Sequence, residues 1–185
     1  MGRKIVNVVG LNVGWFASVL GAAEGRFWVG PAVVAGLLLL HLALLNGPRR
    51  AELLVAAAAV GVGFVVDTAL IAGGVYEPAR WLLEPPLTTL WLAAMWVNFA
   101  LTLNVALRGL QGRWVLLAGL GLVFGPNAYY AGERLGALTF RDPLWSHLAA
   151  VGVAYAVAVP LLMAIAKWAR ERFSGPGPRV APSEA

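Results

Sequence analysis

LTTLWLAAMWVNFALTLNVALRGL, residues 87–110, decides what kind of protein this is. No charged residue occurs from Leu87 to Leu107, and the run is long enough to bridge a bilayer, where about 20 residues at 1.5 Å each span the hydrocarbon. Polar residues nevertheless punctuate it. Trp91, Met95, Asn98 and Thr102 follow i, i+4, i+7, i+11 spacing, which places them on one helical face predicted to look into a bundle. Asn104 falls on a different face, nearer the Arg108 end. Asn and Thr between membrane helices act either as interhelical hydrogen-bond glue, worth about 0.6 kcal/mol on average, or as ligand groups. Both readings stay open at this stage.

Composition carries the same message across the whole chain. Hydrophobic residues make up 60% of the 185, charged residues 12%, and mean hydropathy is +0.76. An ordinary soluble domain is roughly 45–50% apolar and about 25% charged. The chain therefore reads as an integral membrane protein. Its formal net charge of +5 does not point to nucleic acid, because the basic residues sit in short loops and at the ends, with no soluble domain to present a continuous patch. With no cysteine, structural disulfides, thiolate metal sites and a Cys nucleophile are excluded.

Six apolar runs reach spanning length: 5–24, 27–46, 52–75, 87–107, 114–138 and 144–168. The predicted fold class is all-α, a bundle of six transmembrane helices filling one membrane domain, residues 1–173, followed by a disordered cytoplasmic tail, 174–185. The tail is rich in Pro, Gly and Ser. Punctuation falls between the runs, at Glu24-Gly-Arg26, Asn46 to Arg50, Glu77 to Pro86, Arg108 to Arg113 and Arg141-Asp-Pro143. On alternating sides, ten of the 14 basic residues share one side: Arg3, Lys4, Arg49, Arg50, Arg108, Arg113, Lys167, Arg170, Arg172 and Arg179. Arg26, Arg80, Arg134 and Arg141 fall on the other. Cytoplasmic loops retain positive charge, so both termini are predicted cytoplasmic. A rival reading takes the first run as a signal peptide, with Arg3 and Lys4 ahead of Gly21-Ala-Ala23. Asn7, Asn12 and Trp15 interrupt its apolar core and the run is long enough to span, which favours a helix. No myristoylation signal follows Met1-Gly2.

Polar residues at membrane depth must be satisfied by protein or water, so each is a candidate for packing or function. Asp67, two-thirds along the third run, is expected to be protonated, paired, or facing a wet cavity. His41 lies in the second run and His147 starts the sixth. They are near opposite faces, so no two-histidine metal site is expected, nor any cofactor. In FGPNAYYAGERLGAL, residues 124–138, Pro126 removes a backbone donor and leaves the Leu122 carbonyl unpaired, predicting a kink. Beyond it Asn127, Tyr130, Glu133 and Arg134 suggest a polar pocket toward the outer leaflet, with Tyr129 and Glu133, and Tyr130 and Arg134, spaced i, i+4. The plain alternative is a kink for bundle shape plus an aromatic belt. Trp28, Trp81, Trp114, Trp145 and Trp168 fall near run ends as interface anchors.

Three motifs together, NVVGLNVGWFASVLGAA from Asn7, LWLAAMWVNFALTLNVALRGL from Leu90 and GPNAYYAGERLGA from Gly125, resemble a family of small bacterial inner-membrane proteins classified only as a domain of unknown function. The resemblance covers about residues 5–170. Matching positions are Asn7, Gly14, Trp15, Trp91, Trp96, Thr102, Asn104, Arg108, Gly125, Pro126, Tyr130, Gly132 and Arg134. It implies membership, multi-pass topology in a bacterial inner membrane, and an association with cyclopropane-type fatty-acid modification and photo-oxidative stress. It transfers no catalytic residue.

The expected function is accessory binding or processing of a membrane lipid or lipid-like molecule, in a pocket bounded by the fourth and fifth runs. Candidate ligand-binding residues are Asp67, Trp91, Asn98, Thr102, Asn127, Tyr130, Glu133 and Arg134, with Arg134 suited to a phosphate or carboxylate. A small-molecule or proton-coupled transporter would use Asp67 as its titrating group and Pro126 as a hinge. An enzyme has acid-base groups available but no nucleophile-base or metal-ligand motif. A structural subunit would use the amides as glue. Membrane lipids are the expected partners, with membrane proteins or a second copy of the chain left open.

Overall fold

Each apolar run becomes a helix in the computed structural model, which describes residues 2–44, 47–79 and 86–174. The helices are α1 (Gly2–Ala23), α2 (Val29–Leu44), α3 (Arg49–Ala72), α4 (Leu90–Leu103), α5 (Trp114–Arg134) and α6 (Leu144–Phe173), with a short 3-10 turn at Arg108–Leu110. Arg80, Trp81, Glu84 and the expected tail beyond Ser174 lie outside the described residues.

Two helices end alike, and that ending builds the one feature an all-α expectation lacks. After α3, Gly74 takes φ +69° and the Val75 N–H reaches back to the Leu70 carbonyl at 2.9 Å. After α5, Gly136 takes φ +84° and Ala137 N–H reaches the Gly132 carbonyl at 2.9 Å. A left-handed glycine closing the last turn in this way reverses the chain sharply. Each reversal feeds a three-residue strand, β1 (Tyr76–Pro78) and β2 (Leu138–Phe140), which pair antiparallel with Tyr76 opposite Phe140. Glu133 fastens the second turn by accepting the Phe140 N–H at 2.9 Å.

The helices stack in three layers. α1 and α2 pack together on one side, α5 and α6 on the other, and α3 and α4 lie between them. α4 touches α1, α2, α3 and α6, so it is surrounded by protein. Small residues set the close approaches. Gly30 brings α2 onto Ser18 of α1, and Gly121 and Gly125, a GxxxG pair, admit Tyr155 of α6 against α5.

Four helices are long and apolar enough to cross a membrane: α1 (22 residues), α3 (24), α5 (21) and α6 (30). α2 and α4, at 16 and 14 residues, are shorter than the predicted runs 27–46 and 87–107. α4 stops at Leu103 because Asn104 turns the backbone, and the Leu107 N–H returns to the Thr102 carbonyl at 2.9 Å. Non-helical backbone at such ends is tolerated when protein, not lipid, surrounds it. The outward faces carry Leu39, Val65, Phe124 and Val157 in exposed positions, while Asp67, Asn98, Thr102 and Glu52 are buried. Apolar outside and polar inside is the arrangement that a lipid solvent favours.

α5 runs unbroken through Pro126. The Leu122 carbonyl that the proline leaves without its usual donor faces Gly152 of α6, whose missing side chain makes room for it and for the proline ring. Pro126 thus serves helix packing rather than opening a pocket.

Candidate functional site

Two buried polar clusters occupy opposite ends of the bundle. At the strand end, Asp67 of α3 is fully buried. Its Oδ2 accepts from Trp96 Nε1 of α4 at 2.8 Å, and its Oδ1 accepts from Tyr76 OH of β1 at 3.0 Å and from Tyr129 OH of α5. Tyr155 OH of α6 donates to Tyr129 OH at 3.3 Å, and its ring stacks on Trp96 with centroids 4.9 Å apart. Burial, and then the neighbouring Asp67 charge, hold the Tyr76 phenol above its ordinary pKa, so it stays a donor. Three neutral donors thus engage both oxygens of one carboxylate. A gap between Trp91, Met95, Tyr129 and Leu138 measures only about 10 Å³, room for a single water at most.

That gap lies between side chains of α4 and α5 and is far smaller than the pocket expected between the fourth and fifth runs. Trp91 is buried beside it. Asn127, Tyr130 and Arg134 point away from the bundle in exposed positions. Asn127 Nδ2 donates to the Val123 carbonyl of its own helix at 2.7 Å. Glu133 is taken by the Phe140 N–H and Tyr129 by Asp67, so the expected Tyr129–Glu133 pair does not form. Thr102 returns its hydroxyl to the Phe99 carbonyl at 2.7 Å. The structure therefore does not bring Asn98 together with Asn127, Tyr130 and Arg134.

Asn98 belongs instead to a groove at the other end, about 1000 Å³ in volume, between α1, α2, the start of α3 and the end of α4. Leu11, Leu37, Leu40 and Leu101 form apolar walls. Its polar floor is a chain of contacts from helix to helix. Glu52, 4% exposed, lies 3.0 Å from His41 Nε2 through Oε2 and accepts from Asn104 Nδ2 at 2.9 Å through Oε1. Gln111 Nε2 in turn donates to Asn104 Oδ1 at 3.1 Å. Arg3, Lys4, Arg108 and Arg170 also line the groove.

Several polar atoms here are buried without a partner in the protein. Asn98 is 2% exposed and donates Nδ2 to the Leu11 carbonyl at 2.8 Å, across the notch left by Gly14. Asn7 Nδ2 likewise donates to the Leu101 carbonyl at 2.9 Å. Those bonds fix which amide atom faces which way. The Oδ1 atoms of both, and Nη1 of Arg170, are left unpaired. A buried polar atom without a partner costs about 1–3 kcal/mol, and these three belong to residues of the groove's lining, beneath its surface. Among the described residues no group of three or more His, Asp or Glu could hold a metal ion.

Sequence reasoning weighed His41 and Asn104 separately but missed Glu52, which looks like an interface charge in the first turn of α3 beside Arg50. Eleven residues separate it from His41, the span of a helical hairpin, and that spacing is the signal that could have joined them.

No curated protein and no solved structure matches the chain. The model of the family described as Protein of unknown function (DUF2878) matches residues 4–161. That span takes in all three sequence motifs, whose residues converge on α4 through the Gly14–Asn98 contact and the Trp96–Asp67–Tyr129 bonds; the chain belongs to this family.

Proposed function

We propose that the chain is a multi-pass membrane protein, with six crossings and both termini on the cytoplasmic side of a bacterial inner membrane, that binds a lipid or lipid-like amphiphile in the groove between α1, α2 and α4. The observation carrying this reading is the coincidence, in one concavity of about 1000 Å³, of leucine walls with a polar floor and four basic side chains. Apolar lining with a few convergent polar groups is what small-molecule sites offer, and the volume stands at the upper end of their usual roughly 300–1,000 Å³. Four basic side chains against one carboxylate favour an anionic head. The groove opens at the end holding the N-terminus and Arg108, the side with most of the basic residues, so the head would lie near the cytoplasmic surface. Asp67 has a fixed place in this scheme as a tie between helices, not as a ligand group.

The test is the lipid content of the purified chain. Gly10 lines the groove, and the nearest atom to a side chain placed there is Leu37 Cδ2 at 3.5 Å, so Gly10→Leu should fill the space without displacing backbone. Wild type is expected to carry about one extractable lipid per chain more than the variant, at equal helical content. Equal lipid content in the two proteins would remove the groove as the binding site.

A further inference from the structure

Resting on that lipid-binding reading, we infer that the groove selects phospholipids whose headgroup adds no positive charge to the phosphate, such as phosphatidylglycerol, over zwitterionic ones. The inference comes from what each kind of headgroup would meet there.

A phosphodiester meets donors. Arg3, Lys4 and Arg108 are exposed on the groove's rim. Arg170 reaches it from α6 with Nη1 buried and unpaired, its Nη2 only loosely placed 3.9 Å from Glu171. A guanidinium with a free N–H in a partly dry site is a strong phosphate donor.

An ammonium headgroup meets nothing that would hold its charge. Glu52 is the one carboxylate among the described lining residues. Both of its oxygens are already engaged, one by His41 and the other by Asn104. Among the described residues no Phe, Tyr or Trp lines the groove, so a quaternary ammonium finds no aromatic face there. Four cations around it add repulsion.

A neutral hydroxyl headgroup brings no positive charge for the rim cations to oppose, so an anionic lipid that carries one keeps its full attraction to them. Free glycerol phosphate offers an anionic phosphate and hydroxyls without acyl chains, but it would leave the leucine walls unused.

Native mass spectrometry of the full chain in detergent distinguishes these cases, with dihexanoyl phosphatidylglycerol, phosphatidylethanolamine and phosphatidylcholine, and chain-free glycerol phosphate, as probes. Phosphatidylglycerol is expected to half-saturate the protein at about ten-fold lower concentration than the two zwitterionic lipids, with glycerol phosphate binding much more weakly than any of them. Arg108→Gln, at an exposed position whose side chain makes no hydrogen bond among the described residues, should narrow that ratio severalfold while leaving thermal unfolding unchanged. Equal binding of the three lipids, or preference for a zwitterionic one, would overturn the headgroup inference and leave the lipid reading standing. Absence of lipid binding, or glycerol phosphate binding as tightly as phosphatidylglycerol, would overturn both.

Discussion

Trp96 Nε1 donates to Asp67 Oδ2 at 2.8 Å across a notch in α3 that exists because residue 63 is glycine. Gly63 and Asp67 are one helical turn apart, so the indole lies over the first and reaches the second. Tyr76 and Tyr129 close on the other carboxylate oxygen. Asp67 therefore joins α3, α4, α5 and the start of β1 in one dry knot. A titrating group for transport needs a path for its proton or ion, whereas Asp67 is fully buried with both carboxylate oxygens taken by neutral donors.

Trp96→Phe keeps the ring but removes one donor, leaving Oδ2 buried and unpaired. The variant should lose about 1–3 kcal/mol of stability. Asp67→Asn should also destabilise, because its amide must present a donor to either Trp96 or the tyrosines. Combined, the two changes should cost less than their sum, since the second finds the bond already broken. Unfolding in detergent, as a double-mutant cycle, reads this coupling; strictly additive losses would mean that the bond contributes nothing.

Two glycines of α3 should respond oppositely to alanine. At Gly63 a Cβ would overlap the Trp96 indole, whereas at Gly61 it meets open space. Gly61→Ala should be neutral or stabilising by up to about 1 kcal/mol. Gly63→Ala should lower stability by about 1–3 kcal/mol by pushing the indole off Asp67. Melting both variants under the same conditions isolates the notch from helix propensity, and equal melting temperatures would refute its role.

Glu133 stands near Arg134 in sequence but serves the backbone, accepting the Phe140 N–H. Glu133→Gln retains a carbonyl oxygen there and should change stability by less than about 0.5 kcal/mol. Glu133→Ala should cost about 1 kcal/mol by freeing that N–H. Arg134→Ala, at an exposed position, should change little. Thermal unfolding separates the three, and a loss on Glu133→Gln matching that of Glu133→Ala would show that charge matters rather than the hydrogen bond.

What local sequence could and could not convey is clearest on α4. Apolar runs broken by Gly, Pro and charge placed all six helices, because hydropathy and chain breaks act locally. The i, i+4, i+7 spacing also placed Trp91, Asn98 and Thr102 on an inward side, and all three are buried. But α4 is inward all round. Trp96 and Asn98 point roughly 200° apart around the helix, one to Asp67 and the other to α1, and no single face could reveal both. The partners of Asp67 come from 9, 29 and 62 residues away, distances at which periodicity carries no information. The paired strands were hidden for the same reason, since each is only three residues long and is defined by the other.

Absence of cysteine makes the topology open to a direct test, because a single introduced thiol reports only its own position. Gly109 is exposed in the turn after α4, with open space around its missing side chain, and Thr139 is exposed in β2. The Asn104–Glu52 bond puts the end of α4 beside the start of α3, while β2 lies where α3 and α5 finish, so the two positions mark opposite ends of the bundle. Six crossings with the basic-rich side cytoplasmic predict that a membrane-impermeant maleimide labels Gly109→Cys only in inverted vesicles and Thr139→Cys only in right-side-out ones. The short α4 is the demanding element. Its 14 residues cover about 21 Å against a hydrocarbon core of about 30 Å, so it connects the two surfaces only if Thr88-Thr89 and the Asn104–Leu107 turn complete its path within the protein. Gly109 and Thr139 flank α5, and β1 pairs with β2, so labelling of both thiols from the same side would mean that neither α4 nor α5 crosses, and would move the groove's charged rim to a different depth in the membrane.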